Sequence, residues 1–341
     1  MRKISSIFIA ACVVGALAFA CAKSEPAREP LSEKEVPICF ARNISMSPVL
    51  GTKAEISSVD GLYGVLALDA SRTIDPSDFA SVLFYNEILE SNTGEVGFKE
   101  GKAICYPSIA SNYTFYAYRT SESGDPASGK FASNAFLVPV TFGENDILWA
   151  KSVAPVLKDP DGIEPDMNGF NKSYAIAARE WYPDDDNYLP SFTFQHLTTE
   201  LTFSIEAESK EAEESLDSSL YFTEIRLSGL PTKGKLDVLT GKIIDPEQPY
   251  DVSFEKEAYP TAEGVKIGEI FTVPELQSFK LGYSFTFEGT QYDVDNIIVS
   301  TPSEGYLPGH RYSYKIVVRS KDDVALALGS VVVGPEPVYP D

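Results

Sequence analysis

The chain has 341 residues, with 28 Lys and Arg against 50 Asp and Glu, and a formal net charge of −22. A surface of that sign repels nucleic acid and anionic lipid head groups, which excludes a nucleic-acid partner. With two His and four Cys, the chain lacks the ligand set of a transition-metal centre, and no cofactor is expected.

In chain order, the first element is a leader. Met1-Arg2-Lys3 is a basic start, Ile4 to Phe19 is mostly apolar, and Leu17-Ala18-Phe19-Ala20 brings small residues up to Cys21. This is the shape of a lipoprotein signal peptide over residues 1–20, with the Cys21 thiol as the acyl acceptor. The apolar run is too short, and too abruptly followed by Lys23, Ser24, Glu25 and Pro26, to be a spanning helix. The expected location is the outer membrane surface, held by a palmitate-bearing anchor. Residues 21–34 are polar with no apolar period and read as a tether.

Beyond the tether the apolar stretches are short, alternating and bounded by turn residues, which is strand behaviour and predicts an all-β fold. Strands are expected at Gly61–Leu68, Asn112–Tyr118, Phe192–Leu197, Leu201–Ile205, Tyr221–Leu227, Lys280–Phe287 and Tyr312–Val318. Helical spacing is scarce, with Pro76–Leu83 as one short candidate. Residues 158–190 are rich in Asp, Pro, Asn and Gly and mark a junction between an N-terminal β-sandwich (35–188) and a C-terminal one (189–341). The acids of Glu206–Glu214 and Asp184–Asp186 read as solvated surface. Three prolines in Gly334–Asp341 keep the tail from sitting inside a sheet. Cys39 and Cys105 lie in apolar segments and read as two buried thiols rather than a disulfide.

Catalytic chemistry is thin, and no enzyme is expected. His196 and His310 lie in or before apolar strands with no cysteine or carboxylate at ligand spacing, so both read as structural. No G-x-S-x-G elbow and no glycine-rich phosphate loop is present. Asp159, Asp161 and Asp166 offer oxygen ligands to calcium, but without EF-hand spacing and with two interrupting prolines the segment reads as a plain loop. An alternative function is glycan binding, with Trp181 beside Tyr182 as the better exposed platform and Trp149 buried.

Val59-Asp60-Gly61-Leu62-Tyr63-Gly64-Val65, Leu83-Phe84-Tyr85-Asn86, Tyr106-Pro107 before Tyr113–Tyr118, and Asp146–Ala150 follow one another as in fimbrillin-like lipoproteins of Bacteroidales. Phe192–Ile205 resembles that family's histidine-bearing strand, and Leu307–Tyr314 its late glycine-to-tyrosine turn into a strand. The resemblance implies two transthyretin-like sandwiches in a fimbrial subunit, tip or anchor component concerned with adhesion. Its partners would be other subunits joined by strand addition, the outer membrane through the lipid, and ligands on host or bacterial surfaces. It also implies a removable strand in Val36–Arg42, with Ile38 and Phe40 facing a groove and protease cleavage after Arg42 or Lys53. Many relatives carry a tryptophan in the final strand, whereas Val324–Val333 has none.

Overall fold

A computed structural model of the chain describes residues 35–42, 44–47, 60–72, 81–107, 109, 111–121, 136–247, 249–319 and 336–338. Cys21, Lys53 and the leader lie outside the described residues. The first half contains β1 (Ser45–Met46), β2 (Gly61–Asp69), β3 (Val82–Asn92), β4 (Glu95–Phe98), β5 (Tyr113–Arg119), β6 (Leu137–Thr141), β7 (Leu148–Ser152) and α1 (Lys172–Trp181). There follow β8 (Thr193–His196), β9 (Thr199–Ala207), α2 (Lys210–Leu216), β10 (Leu220–Pro231), β11 (Lys233–Asp237), β12 (Lys242–Ile244) and β13 (Pro249–Ala258). The last are β14 (Val265–Thr272), β15 (Ser278–Phe287), β16 (Thr290–Ser300), β17 (Arg311–Val318) and β18 (Glu336–Val338). The fold is all-β and mainly antiparallel, with two short α-helices among the described residues. No helix among them is long and apolar enough to cross a membrane.

A seven-stranded sheet, ordered β1-β8-β7-β5-β2-β3-β4, divides two apolar cores. Successive side chains of a strand face opposite sides, so a strand with apolar residues at every position must be covered on both. In β2, Tyr63, Val65 and Ala67 enter the first core while Leu66 and Leu68 enter the second. In β5, Phe115 and Ala117 go one way, Tyr116 and Tyr118 the other. The first core is closed by α1, whose start is fixed by Asn171: its Oδ1 accepts from the Tyr174 N–H at 2.9 Å. Tyr174, Ala175, Ala177 and Ala178 then form the buried stripe.

The second core runs on through the sheet β12-β11-β6 into two four-stranded sheets, β13-β10-β15-β16 and β14-β9-β17-β18. Aromatic rings join these layers, with Phe279 edge-on to Phe203 at 6.0 Å and to Tyr314 at 5.5 Å. Among the described strands two pairs are parallel, β1 with β8 and β9 with β17. Strands cross the expected junction at 188/189 in both directions: β8 pairs with β7, and β6 pairs with β11.

All seven strands expected from alternation are present. Several expectations are corrected. Val82 and Leu83, the end of the helical candidate, lie in β3, and residues 76–80 lie outside the described residues. Residues 172–181 form a helix inside the region read as a junction loop, and 210–216 form a second within the acidic run. The tail does pair, since β18 adds to β17 with Pro337 opposite Tyr312. It does so at the sheet edge, where proline's missing N–H costs no ladder bond.

Candidate functional site: the leading segment and its seat

Residues 35–42 were expected as a sheet strand; they are instead an extended segment with one isolated bridge, Pro37 to Cys105. The bridge is a non-hydrogen-bonded pair flanked by bonds from Ile38 and Tyr106, so the N–H that Pro37 lacks would have pointed away from 104–106. The main chain is held from several sides. Ile38 N–H donates to Ile104 O at 2.8 Å, Tyr106 N–H to Val36 O at 2.9 Å, and Ala41 N–H to Pro190 O at 2.9 Å. Arg179, near the end of α1, donates from Nη2 to Pro37 O at 2.8 Å.

Alternation inside the segment decides what it buries. Val36, Ile38 and Phe40 are 3%, 5% and 5% exposed and belong to the first core. Phe40 sits among Phe98 at 5.3 Å, Phe115 at 5.8 Å and Phe192 at 5.8 Å, edge-on to the first two and stacked on the third. Fully burying a side chain of this size stabilises by about 1.5–3 kcal/mol. The segment is thus a detachable-looking part of the core: rich in side-chain burial, poor in sheet pairing.

Arg42 closes the segment. Its side chain is 70% exposed and meets Asp186 at 3.6 Å, an exposed ion pair that holds it weakly. Past it, Ile44 is buried and β1 joins the sheet through Ser45 N–H to Phe192 O at 3.1 Å. Cys39 and Cys105 are half-buried rather than buried, on the side of the segment away from the core, and neither is in a disulfide. The seat residues Arg179, Ile104 and Pro190 were not singled out from sequence; only their neighbour Tyr106-Pro107 carried a signal.

His196 Nδ1 meets Asp146 Oδ2, and Thr198 Oγ1 donates to Asp146 Oδ1 at 2.5 Å. Fifty residues of separation hid this pairing from the sequence, and it makes His196 a hydrogen-bonded structural residue between β8 and β9. His310 is buried, its Nδ1 near Pro308 O at 3.1 Å and its carbonyl accepting from Thr199 Oγ1 at 2.9 Å. The Asp159 carboxylate accepts backbone N–H groups of Glu164, Asp161 (2.9 Å) and Ile163 (2.5 Å), which hold it below the usual carboxylate range. Its oxygens therefore organise the loop, and among the described residues no three acidic, His or Cys side chains are grouped to hold a metal. Trp149 donates from Nε1 to Val238 O at 2.7 Å. Trp181 and Tyr182, read as an exposed platform, are both half-buried against the first core, and Tyr182 stacks on Tyr188 at 4.8 Å.

This architecture is that of a β-sandwich protein whose leading segment is inserted into its first core, and the comparisons give its family. Residues 62–335 match the fimbrillin-like family model, and the chain belongs to the fimbrillin-like family. It is similar to a proposed cell adhesion protein from Bacteroides uniformis at 16% identity and a TM-score of 0.49, covering 85% of this chain and 94% of that one. It is also similar to a fimbrial protein from Bacteroides vulgatus at 12% identity and a TM-score of 0.47, covering 81% and 92%. A third similarity is to the fimbrial anchor protein Mfa2 from Porphyromonas gingivalis, at 11% identity and a TM-score of 0.37, covering 82% and 90%. No curated protein sequence matches.

Proposed function

We propose that the chain is a non-enzymatic fimbrial component, a subunit, tip or anchor, exported as a lipoprotein through Cys21 and assembled with other subunits by strand addition at the outer membrane. One observation carries the reading: Val36, Ile38 and Phe40 fill a core site from a segment with a single β-bridge that ends at the exposed Arg42. Cleavage there frees a segment whose seat then presents apolar surface and unpaired main chain at Ile104 to Tyr106 and Pro190. A neighbour's strand with alternate apolar residues completes it. Cleavage at Lys53 would remove β1 as well and uncover the edge of β8.

The test compares intact protein, trypsin-cut protein and Arg42→Ala by thermal midpoint and by electrophoresis without boiling. Cut protein should lose stability and then form a multimer ladder, and Arg42→Ala should do neither. If loss of residues 35–42 changes neither stability nor oligomer size, the reading is wrong.

A further inference from the structure

The outward face of the leading segment holds chemistry that assembly does not use. Val36, Ile38 and Phe40 point into the core, so by the period of two Pro37 and Cys39 share the opposite side. Across the pair, Tyr106 is buried and Cys105, its chain neighbour, is half-buried beside Pro37. Cys39 and Cys105 are therefore diagonal neighbours on one face of an antiparallel pair. A third group confirms the shared environment: Arg179 donates from Nη2 to Cys39 Sγ at 3.3 Å, and its charge also acts on the Cys105 thiol, which burial pushes up.

We propose that Cys39 and Cys105 close into a disulfide that staples the leading segment to residues 104–106. Diagonal neighbours in an antiparallel pair have Cβ atoms about 7–8 Å apart or somewhat less, whereas a disulfide spans roughly 3.5–4.5 Å between them. Closure needs the two Cβ atoms to draw together by about 3 Å, which a local bend at a pairing one bridge long provides while Val36, Ile38 and Phe40 keep their seats. Both cysteines are half-buried rather than enclosed, and the guanidinium stands where it stabilises a thiolate at Cys39. The oxidant is a disulfide, either a small molecule or an exchange protein of an oxidising compartment. One cysteine thiolate attacks it, giving a mixed disulfide and releasing one thiol; the other cysteine displaces the second thiol. Two thiol hydrogens and two electrons leave with the reduced oxidant.

A stapled segment stays attached even after the chain is cut at Arg42, so its release waits on reduction. That consequence rests on the cleavage reading; the staple itself does not. The full chain is equilibrated with oxidised glutathione, blocked with N-ethylmaleimide, digested and mapped by mass spectrometry. The expected product is a linked peptide carrying Cys39 and Cys105, lighter by two hydrogen atoms, lost on reduction and absent from Cys105→Ser. Equal maleimide uptake at both positions before and after oxidation overturns the proposal, as does recovery of each cysteine only as a glutathione adduct or linked to a second copy. In a second arm, oxidised protein cut with trypsin should keep the segment until dithiothreitol is added. Absence of any cut at Arg42 would count against the assembly reading and leave the mapped disulfide standing.

Discussion

The indole of Trp149 lies directly on Gly241: a Cβ at that glycine would stand 2.6 Å from ring carbons Cδ2 and Cε3. Trp149 belongs to β7 of the dividing sheet, and Gly241, at φ +67, to the turn between β11 and β12. The contact therefore joins the two halves of the chain. Gly241→Ala combines a left-handed backbone with an overpacked ring and should cost about 2–4 kcal/mol. Gly289, at φ +78 with nothing within 4 Å of its built Cβ, is the control, and its Ala variant should lose about 1–2 kcal/mol. Urea midpoints at constant slope make the comparison; equal losses would remove the ring contact from the explanation.

Phe40→Ala removes the most enclosed ring of the leading segment and should cost about 3–5 kcal/mol in the intact chain. Protein cut at Arg42 and freed of residues 35–42 lacks this ring together with Val36 and Ile38, and should be destabilised at least as much. Chemical unfolding of both forms checks this, and an intact-chain loss below about 1 kcal/mol would show that the aromatic seat repacks without it.

Acid should weaken the β2–β5 end through Asp69. Burial opposes its charge, but hydrogen bonds from the Ser71 and Ser111 side chains and the Ser71 and Asn112 N–H groups outweigh it and hold the carboxyl below the usual range. Because the folded value is depressed, the stabilisation is present above the unfolded carboxylate range and disappears as pH falls through the folded value. Asp69→Asn should be less stable than the parent by about 1–3 kcal/mol at neutral pH, with the gap closing on acidification. Thermal midpoints from neutral pH down to about pH 3 test it against the ordinary aspartate value; a gap that stays constant with pH would assign the loss to packing.

Metal removal should do nothing. Asp159 spends its carboxylate on the amides of its own loop, so chelator should leave the thermal midpoint unchanged and elemental analysis should find no stoichiometric zinc. A midpoint lowered by chelator would place a cation in this loop after all.

Cys21→Ser should move the protein from membrane to soluble fractions, because a hydroxyl cannot accept the thioether-linked lipid. Retention of the variant in membranes would refute the anchor.

Local pattern was readable and distant pairing was not. Alternation exposed β2, β5 and β17 because a sheet writes its period of two into consecutive residues. The same pattern in Val36–Phe40 read as a ladder strand, but its main-chain partners are divided among Ile104, Tyr106, Pro190 and Arg179 instead of lying along one strand. The α1 helix lay hidden in a stretch of turn residues, though Asn171 followed by Tyr174, Ala175, Ala177 and Ala178 is a cap and a helical stripe. Nothing local announces that Asp146 meets His196, that Arg179 reaches Pro37 and Cys39, or that β6 pairs with β11; these depend on how the sheets fold back on each other.

The parallel pairs set how the molecule bears tension. β8 and β9 are nearly continuous from Thr193 to Ala207, with β1 lying parallel to the former and β17 parallel to the latter. A pull entering at Ser45 and leaving at Val318 crosses from β1 to β8, runs along the chain, and crosses again from β9 to β17. At each crossing the strands slide lengthwise, so the rungs share the load instead of parting one at a time. Asp146, holding His196 and Thr198 on either side of Leu197, clamps the joint between the two crossings. The weaker link is the short overlap of Ser45 and Met46 with β8, and it is there that a stretched subunit should first give way.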